Sequence, residues 1–310
     1  MRTLICGSMA YDNIMVFQGH FKDQILPDQI HILNVSFLVP QLRREFGGCA
    51  GNIAYNLKLL GGDPLIMATV GTDAGPYLTR LDKLGLPRTH VRQHSNALTA
   101  QAFITTDLDD NQITAFHPGA MNFAHMDHVS GWMDVELAII APDGREGMLL
   151  HARELAANDI PFMFDPGQGL PMFSGEELLH FVKQATYVAV NDYEGKMLEE
   201  RTGTSLERIA EGVEALIVTR GAEGSSIFTA GQRIDVPCVK AEAVLDPTGC
   251  GDAYRAGLLY GITSKFDWRK TGQIASLMGS LKIASRGGQN HTTSREEIAD
   301  KYQKAFGEAL

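Results

Sequence analysis

The sequence predicts an α/β protein in which helices cover both faces of a mostly parallel sheet. Short apolar runs alternate along the chain with helix-like segments, an order typical of parallel strands joined by helical crossovers. Several runs are apolar throughout, for example residues 137–141, as expected of strands covered on both faces. The chain has 310 residues, of which 44% are hydrophobic. We therefore expect a three-layer α/β/α fold forming a single domain over residues 1–310.

The predicted elements are spread over the whole chain. The strand candidates are Thr3–Cys6, Leu65–Val70, Glu136–Ile140, Pro161–Phe164, Tyr187–Val190, Ala215–Thr219 and Ser225–Thr229. The helix candidates are Gly51–Leu60, Gly75–Leu84, Arg145–Ala157, Gly175–Gln184, Tyr193–Thr202, Asp252–Thr263, Trp268–Ser285 and Arg295–Phe306.

Two insertions interrupt the strand and helix order. Residues 13–46 contain the strand-like stretches Asn13–Phe17 and His31–Val35 with no helix between them, and residues 98–117 alternate like a hairpin. Because these segments come from separate parts of the chain, we expect them to form one small antiparallel β lid rather than an independent domain.

Charge and cysteine content exclude several classes of partner. The formal net charge is −10, and no basic run is longer than Arg43-Arg44, which argues against a nucleic-acid partner. The apolar runs are too short for a bilayer span or a signal peptide. The four cysteines, at positions 6, 49, 238 and 250, lack zinc spacing. We expect free thiols in a cytoplasmic protein with no membrane partner.

The strongest local signal is the string from Asp246 to Gly257, D-P-T-G-C-G-D-A-Y-R-A-G. Small residues precede a predicted helix, so the amides of Gly249, Cys250 and Gly251 could hold a phosphoryl group at the positive end of the helix dipole. Asp252 would lie beside that group and is suited to take a proton from an attacking hydroxyl. A capped helix after a glycine turn is the alternative. A helix N-terminus also lowers a thiol pKa, so Cys250 is expected to be reactive.

A second signal is the string F-G-G-C-A-G-N-I-A-Y-N-L that begins at Phe46. Gly47 and Gly48 allow a backbone to approach a ligand closely. Asn52 can both donate and accept hydrogen bonds, which fits a sugar hydroxyl. Close helix packing is the alternative explanation of these glycines.

Together the two strings resemble the signatures of the pfkB, or ribokinase-like, family of carbohydrate and nucleoside kinases. They lie about 200 residues apart in the expected order, and the resemblance covers essentially the whole chain. It implies a ribokinase-like fold and a phosphotransferase that uses ATP and Mg²⁺, with an alcohol group as acceptor.

The resemblance implies further site residues. Asn191 and Glu194 match the family's N-x-x-E, in which the glutamate holds Mg²⁺ through water. Asp12 matches the acid that binds substrate hydroxyls. Nucleotide contacts are implied for Thr219, Gly221, Gly224 and Asn290.

The resemblance also implies a site for a monovalent cation such as K⁺, formed by the backbone near Asp246 and Thr248 with part of segment 284–291. One departure concerns Asp165-Pro166, where relatives often continue with Asn and a basic residue. Here Gly167, Gln168 and Gly169 follow. A sugar-phosphate contact from that basic residue is therefore not expected.

The aromatic residues of the lid favour a nucleoside acceptor. A nucleoside base needs a flat apolar slot, whereas a free sugar needs a polar pocket. Phe103 and Phe116 are the first candidates for stacking on the base, and the long first insertion resembles bacterial adenosine-kinase-like members. We therefore expect adenosine, phosphorylated on its 5′-hydroxyl to AMP. A ribokinase- or fructokinase-type sugar kinase and a non-catalytic sensor are the alternatives. We also expect a homodimer formed through the lid.

Overall fold

The computed structural model describes residues 2–25, 32, 34–109, 111–129 and 134–310. Thirteen strands are seen in these ranges: β1 (Arg2–Cys6), β2 (Ala10–Val16), β3 (Leu42–Gly47), β4 (Asp63–Val70), β5 (His90–Gln93), β6 (Ala100–Thr106), β7 (Gln112–His117), β8 (Leu137–Ile140), β9 (Phe162–Phe164), β10 (Tyr187–Asn191), β11 (Ala215–Thr219), β12 (Ser225–Thr229) and β13 (Gln232–Val236). The helices there are α1 (Cys49–Leu59), α2 (Gly75–Leu84), α3 (Arg145–Ala157), α4 (Gly175–Gln184), α5 (Asp192–Thr202), α6 (Leu206–Ala210), α7 (Cys250–Thr263), α8 (Trp268–Ile283) and α9 (Arg295–Phe306).

A nine-stranded sheet forms the middle layer, in the order β13-β12-β11-β10-β9-β8-β1-β4-β5. All neighbours from β11 to β5 pair in parallel, and β12 and β13 add an antiparallel edge. The predicted α/β fold with a mostly parallel sheet is confirmed. The strand order reverses beside β1, and open parallel sheets bind their ligands in the crevice at such a point.

The core lies on both faces of this sheet, as alternate residues of β1 demonstrate. Ile5 belongs to a buried cluster that includes residues of α1, α2, α7, α8 and α9. Leu4 and Cys6 belong to a second cluster that includes residues of α3, α4, α5 and α6. Strands buried on both faces require apolar residues at successive positions, and this explains the continuous apolar runs of the sequence.

The predicted lid is a four-stranded sheet in the order β3-β2-β6-β7. The pairs β2–β3 and β6–β7 are antiparallel, and the central pair β2–β6, which joins the two insertions, is parallel.

The strand predicted at His31–Val35 is not the partner of β2. His31 and Leu33 lie outside the described residues, and Asn34 and Val35 are not in a strand. The partner is β3, in which Gly47 pairs with Ala10. This register is required because α1 begins only two residues later, at Cys49.

Among the described residues, no helix is long and apolar enough to cross a membrane. All four cysteines are free.

Candidate active site

A cleft of about 1000 Å³ lies between the lid and the carboxyl ends of the central strands. It brings together most of the residues singled out in the sequence. Those that line it are Asp12, Gly48, Asn52, Phe116, Asn191, Glu194, Thr219, Gly221, Thr248, Gly249, Gly251 and Asp252.

The N-terminus of α7 points into this cleft. Gly249 has φ +78°, in the left-handed region that favours glycine, and a Cβ at Gly251 would meet no atom within 4 Å. The amides of Gly251 and Asp252 begin the helix, so neither has a carbonyl partner one turn earlier in α7. The Cys250 amide was also expected to hold a phosphoryl group, but it already donates a hydrogen bond to the Pro247 carbonyl over 3.1 Å. The amides of Gly251 and Asp252 are therefore better candidates for binding an anion than the amide of Cys250.

The Cys250 thiol also differs from the sequence expectation. Its Sγ lies 3.9 Å from the Asp246 carbonyl oxygen and is not among the cleft-lining groups. Burial raises the pKa of this thiol to about 11, despite the nearby Lys282 ammonium, which lowers it. The predicted activation by the helix N-terminus is outweighed by desolvation, so Cys250 is mostly a thiol at neutral pH.

Asp252 is held by a network that starts in the glycine-rich string of α1. Its Oδ2 accepts a hydrogen bond from Asn52 Nδ2 over 2.8 Å. Gln289 Nε2 donates to Asn52 Oδ1 over 3.1 Å and to the Tyr77 hydroxyl over 2.7 Å. Tyr77 in turn donates to the Gly47 carbonyl over 2.7 Å. Asn52, predicted to bind a sugar hydroxyl, thus has both ends of its amide engaged and positions Asp252.

The pKa of the buried Asp252 carboxyl is raised. Burial raises its pKa to about 6, the hydrogen bond from Asn52 lowers it, and the nearby Asp165 carboxylate raises it. A general base works best when its pKa lies near the operating pH. With a pKa of about 6, Asp252 is largely ionised at neutral pH and able to accept a proton.

Asp12 enters the cleft from β2. A Cβ at Gly47 would lie 2.3 Å from Asp12 Oδ2, and a Cβ at Gly48, where φ is +84°, would lie 2.6 Å from the Ala10 amide nitrogen. The two glycines therefore make room for Asp12 and its strand. Burial raises the pKa of Asp12 to about 6, and the carboxylates of Asp252, Asp246 and Glu45 add to the rise.

A buried ion pair that the sequence did not reveal forms the floor of the cleft. Arg255 donates from Nε to Asp165 Oδ2 over 3.2 Å and from Nη2 to Asp165 Oδ1 over 3.0 Å. The same Nη2 lies 3.9 Å from Glu194 Oε2. Arg255 follows Asp252 by one helical turn, so a positive charge stands among three carboxylates. Asp165 is thus paired with an arginine of α7.

Glu194 and Asn191 form the start of α5. Asn191 Oδ1 accepts from the Glu194 amide over 2.7 Å, and Glu194 Oε2 accepts from the Asn191 amide over 2.8 Å. Burial raises the pKa of Glu194, and Asp165 adds to the rise. The other carboxylate oxygen, Oε1, takes no part in this capping box. It could accept a hydrogen bond from a water ligand of Mg²⁺, because Mg²⁺ keeps several waters when it binds to proteins.

Two of the residues expected at the nucleotide, Gly224 and Asn290, do not line the cleft, and their contacts in the structure are with other parts of the chain. A Cβ at Gly224, where φ is +84°, would lie 2.2 Å from the Val236 carbonyl oxygen, so this glycine closes the turn before β12. Asn290 Nδ2 donates to Glu45 Oε2 over 2.7 Å and to the Arg286 carbonyl over 3.0 Å. Thr219 and Gly221 do line the cleft.

The two phenylalanines proposed for base stacking lie on opposite faces of the lid. Phe116 pairs with Ala102 across β6 and β7, and both line the cleft together with Met121. Phe103 is the next residue of β6 and therefore points to the other face, where 41% of it is exposed. The prediction for Phe103 is wrong because the period of a strand sends neighbouring side chains to opposite sides.

The loop before α7 is tied to the end of α8. Asp246 Oδ1 accepts from the Thr248 amide and Asp246 Oδ2 from the Gly287 amide, each over 2.8 Å. The Asp246 carbonyl accepts from Lys282 Nζ over 2.7 Å. Burial alone would raise the pKa of Asp246, but the amides of Gly287 and Thr248 lower it below its usual value.

Comparisons with known proteins identify relatives of this chain. The family model described as pfkB family carbohydrate kinase matches residues 9–295. A nucleoside kinase from Methanocaldococcus jannaschii is 32% identical over 274 residues, which covers 87% of this chain and 90% of that protein.

The chain is also similar to solved structures of a nucleoside kinase. The structure of Burkholderia thailandensis nucleoside kinase in complex with inosine has a TM-score of 0.91 and 56% identity, and covers 99% of both chains. The structure of that enzyme described as a complex with ADP-inosine has a TM-score of 0.88 and 57% identity, over 99% of this chain and 97% of that chain.

Proposed function

Because this chain belongs to the pfkB family of carbohydrate kinases and is a phosphotransferase that acts on an alcohol, we propose that it transfers phosphate from ATP to a purine nucleoside. The acceptor is the 5′-hydroxyl of adenosine or inosine, and the products are the nucleoside 5′-monophosphate and ADP. The observation that carries the proposal is the pairing, in one cleft, of a buried base at Asp252 with an apolar wall at Phe116 and Met121.

The acceptor sugar lies between Asp12 and Asp252 in this proposal. Asp12 accepts hydrogen bonds from the ribose hydroxyls, because a carboxylate accepts two donors side by side. Asp252 accepts the proton of the 5′-hydroxyl as that oxygen attacks the γ-phosphorus. The amides at the start of α7 stabilise the transferring phosphoryl group, which is the main task of a phosphotransferase.

The base lies against the lid. Phe116 and Met121 form an apolar wall, and the purine stacks on the Phe116 ring. The relatives named as nucleoside kinases, one of them with bound inosine, favour a nucleoside over a free sugar. Stacking on Phe116 suits any base, since every base has a π-face, and the inosine bound by the relative favours a purine.

The phosphates of ATP and the Mg²⁺ ion would lie at the other end of the cleft. Thr219 and Gly221 would lie beside the phosphates, and Glu194 Oε1 would hold a water of the metal. Mg²⁺ supplies charge neutralisation of the phosphate oxygens when bound. A separate groove of about 690 Å³, lined by Cys238, Val239 and His291, lies beside segment 284–291 and takes the adenine of ATP.

A panel assay tests the proposal. The protein is incubated with ATP, Mg²⁺ and one of adenosine, inosine, guanosine, cytidine, ribose or fructose, and the product is identified by ³¹P NMR. We expect purine nucleoside 5′-monophosphates. Turnover of ribose or fructose with no nucleoside product would identify a sugar kinase. The absence of turnover with every acceptor would favour the sensor.

We also propose that the lid forms a homodimer. The lid face opposite the cleft exposes Phe103, and β7 is an edge strand with every residue exposed. Exposed apolar edges of this kind are prone to pair with another copy. Sedimentation at micromolar concentration should give a dimer, and Phe103→Asp should give a monomer. A monomeric parent protein would contradict this part of the proposal.

A further inference from the structure

Lys282 is a buried lysine between the end of α8 and the loop that precedes α7. It is 0% exposed. Its Nζ donates to the Asp246 carbonyl over 2.7 Å and to the Ser285 carbonyl over 3.1 Å. Lysines near helix ends often bind the last carbonyls of their own helix from the solvent side. Lys282 differs because it is fully buried and also binds a second segment of the chain.

That second segment leads directly into the phosphate-binding turn. The amides of Leu245 and Asp246 donate to the Ile283 carbonyl over 2.9 and 3.2 Å, and the Asp246 carboxylate binds the Gly287 amide. Lys282 therefore lies at the junction of the loop, the end of α8 and segment 284–291. Its contact with Asp246 is only three residues from Gly249, where the turn into α7 begins.

The surroundings of Lys282 are those of a small cation site. The C-terminal end of α8 carries partial negative charge, and backbone carbonyl oxygens are also the groups that bind K⁺ in place of water. Burial lowers the pKa of the Lys282 ammonium, and the Asp246 carboxylate opposes that shift. A buried charge needs such compensation by neighbouring dipoles and charges.

The residues around Asp246 do not fit an additional monovalent metal ion. The family resemblance implies such an ion near the backbone of Asp246 and Thr248. The Asp246 carbonyl accepts from the Lys282 ammonium, however, and both oxygens of its carboxylate accept from amides. A second positive charge beside this ammonium would be repelled by it.

We propose that the Lys282 ammonium takes the place of a monovalent metal ion, fixing the loop at residues 246–251 so that turnover does not depend on K⁺. The inference rests on the kinase activity but not on the identity of the acceptor. It assigns a positioning role to Lys282, since the ammonium acts on the phosphate through the loop.

The wild-type protein gives the first test. Its kcat is measured in potassium, sodium and tetramethylammonium chloride at equal ionic strength, and its melting temperature is measured in the same salts. We expect kcat to agree within about twofold and the melting temperature to be unaffected by the choice of cation. Activation by K⁺ of about tenfold or more would overturn the proposal.

The second test removes the ammonium. Lys282→Met keeps the apolar stem, and we expect kcat in tetramethylammonium chloride to fall about tenfold or more, since hydrogen bonds from a charged donor are lost. Potassium or ammonium ions should restore part of kcat and raise the melting temperature of this variant. Lys58→Met, at an exposed position of α1, is the control and should behave as the wild type in every salt.

The outcomes separate the two proposals. If the folded Lys282→Met variant keeps wild-type kcat in tetramethylammonium chloride, or is impaired but indifferent to all cations, the cation role is wrong. If the variant does not fold, the wild-type salt series decides. If the wild-type protein phosphorylates no acceptor, the proposed function fails, and the melting temperatures still test Lys282.

Discussion

Asn52 Nδ2 donates to Asp252 Oδ2 over 2.8 Å, joining residues 200 positions apart. The contact links the start of α1 to the start of α7, two helices that pack against each other beneath the cleft. Because Gln289 holds the other end of the Asn52 amide, the nitrogen faces Asp252. The Asp252 carboxylate is thereby fixed in one orientation before any substrate binds, which is what a base that must meet a hydroxyl requires.

Asp252→Asn should abolish most of the activity without loss of binding. The amide keeps the size of the carboxylate but cannot accept a proton at neutral pH. We expect kcat to fall by about 10²–10⁴, with acceptor Kd nearly unchanged when measured by calorimetry. A variant that keeps more than about a tenth of the wild-type kcat would show that Asp252 is not the base.

Asp12→Ala should weaken acceptor binding more than it lowers kcat. The proposed partners of Asp12 are ribose hydroxyls that do not react, so its removal should affect binding of the acceptor and not the chemical step. We expect acceptor KM to rise about tenfold or more, as for the loss of a hydrogen bond to a charged group, while kcat at saturation changes less. A larger loss in kcat than in KM would instead place Asp12 in the chemical step.

The pH dependence of kcat/KM should reflect the ionisation of both Asp12 and Asp252. Burial raises the pKa of Asp12 and of Asp252 to about 6, and each is needed in its ionised form. The kcat/KM of the wild type should therefore fall steeply as pH drops through about 6, with a limiting slope near two because two protons are taken up. Asp12→Asn should reduce that slope toward one. A wild-type profile that is flat down to pH 5 would contradict both assignments.

The sequence predicted the fold well because the fold follows from local patterns. The apolar runs marked β1, β4, β8, β10 and β11 within a few residues. The strings around Gly47 and Asp252 each have a steric or electrostatic reason, and the structure places both in one cleft. Steric and electrostatic requirements of this kind involve only a few neighbouring residues, so they can be recognised in the sequence.

What the sequence did not reveal depends on contacts between distant segments. Gln289 and Arg255 are ordinary polar residues in their local sequence, and only the fold brings them to Asn52 and Asp165. Lys282 looks like any lysine near the end of a helix until its burial is known. The Cys250 expectation failed for a related reason, since the helix N-terminus is local but the burial that outweighs it is not.

The two lid phenylalanines form a matched pair of variants. Phe116 lines the cleft and Phe103 lies on the opposite face of the same sheet. Phe116→Ala should raise the nucleoside KM about tenfold or more, because base–aromatic stacking is worth about 1–3 kcal/mol. Phe103→Ala should leave KM unchanged. Equal effects of the two variants on KM would contradict stacking on Phe116 and indicate a general loss of lid structure.

The buried carboxyl of Asp143 should make the stability of the protein depend on pH. Asp143 is 2% exposed, its Oδ1 accepts from the Gly144 amide over 2.8 Å, and within the described part of the chain its Oδ2 has no partner. Burial raises the pKa of Asp143 to about 8, although the hydrogen bond from the Gly144 amide lowers it. An aspartate in the unfolded chain has a pKa of about 3.9. Between these values the folded protein binds the extra proton, so the free energy of unfolding decreases as pH rises from about 4 to about 8.

Asp143→Asn should therefore stabilise the protein, and more so at higher pH. The amide oxygen keeps the hydrogen bond from Gly144, and the cost of ionising a buried carboxyl disappears. We expect the melting temperature of the variant to exceed that of the wild type by about 2 °C or more at pH 8, and the difference to shrink toward zero at pH 4–5. Asp300→Asn, at an exposed position of α9, is the control and should show no such trend. A difference between Asp143→Asn and wild type that is the same at both pH values would mean that Asp143 does not titrate between them.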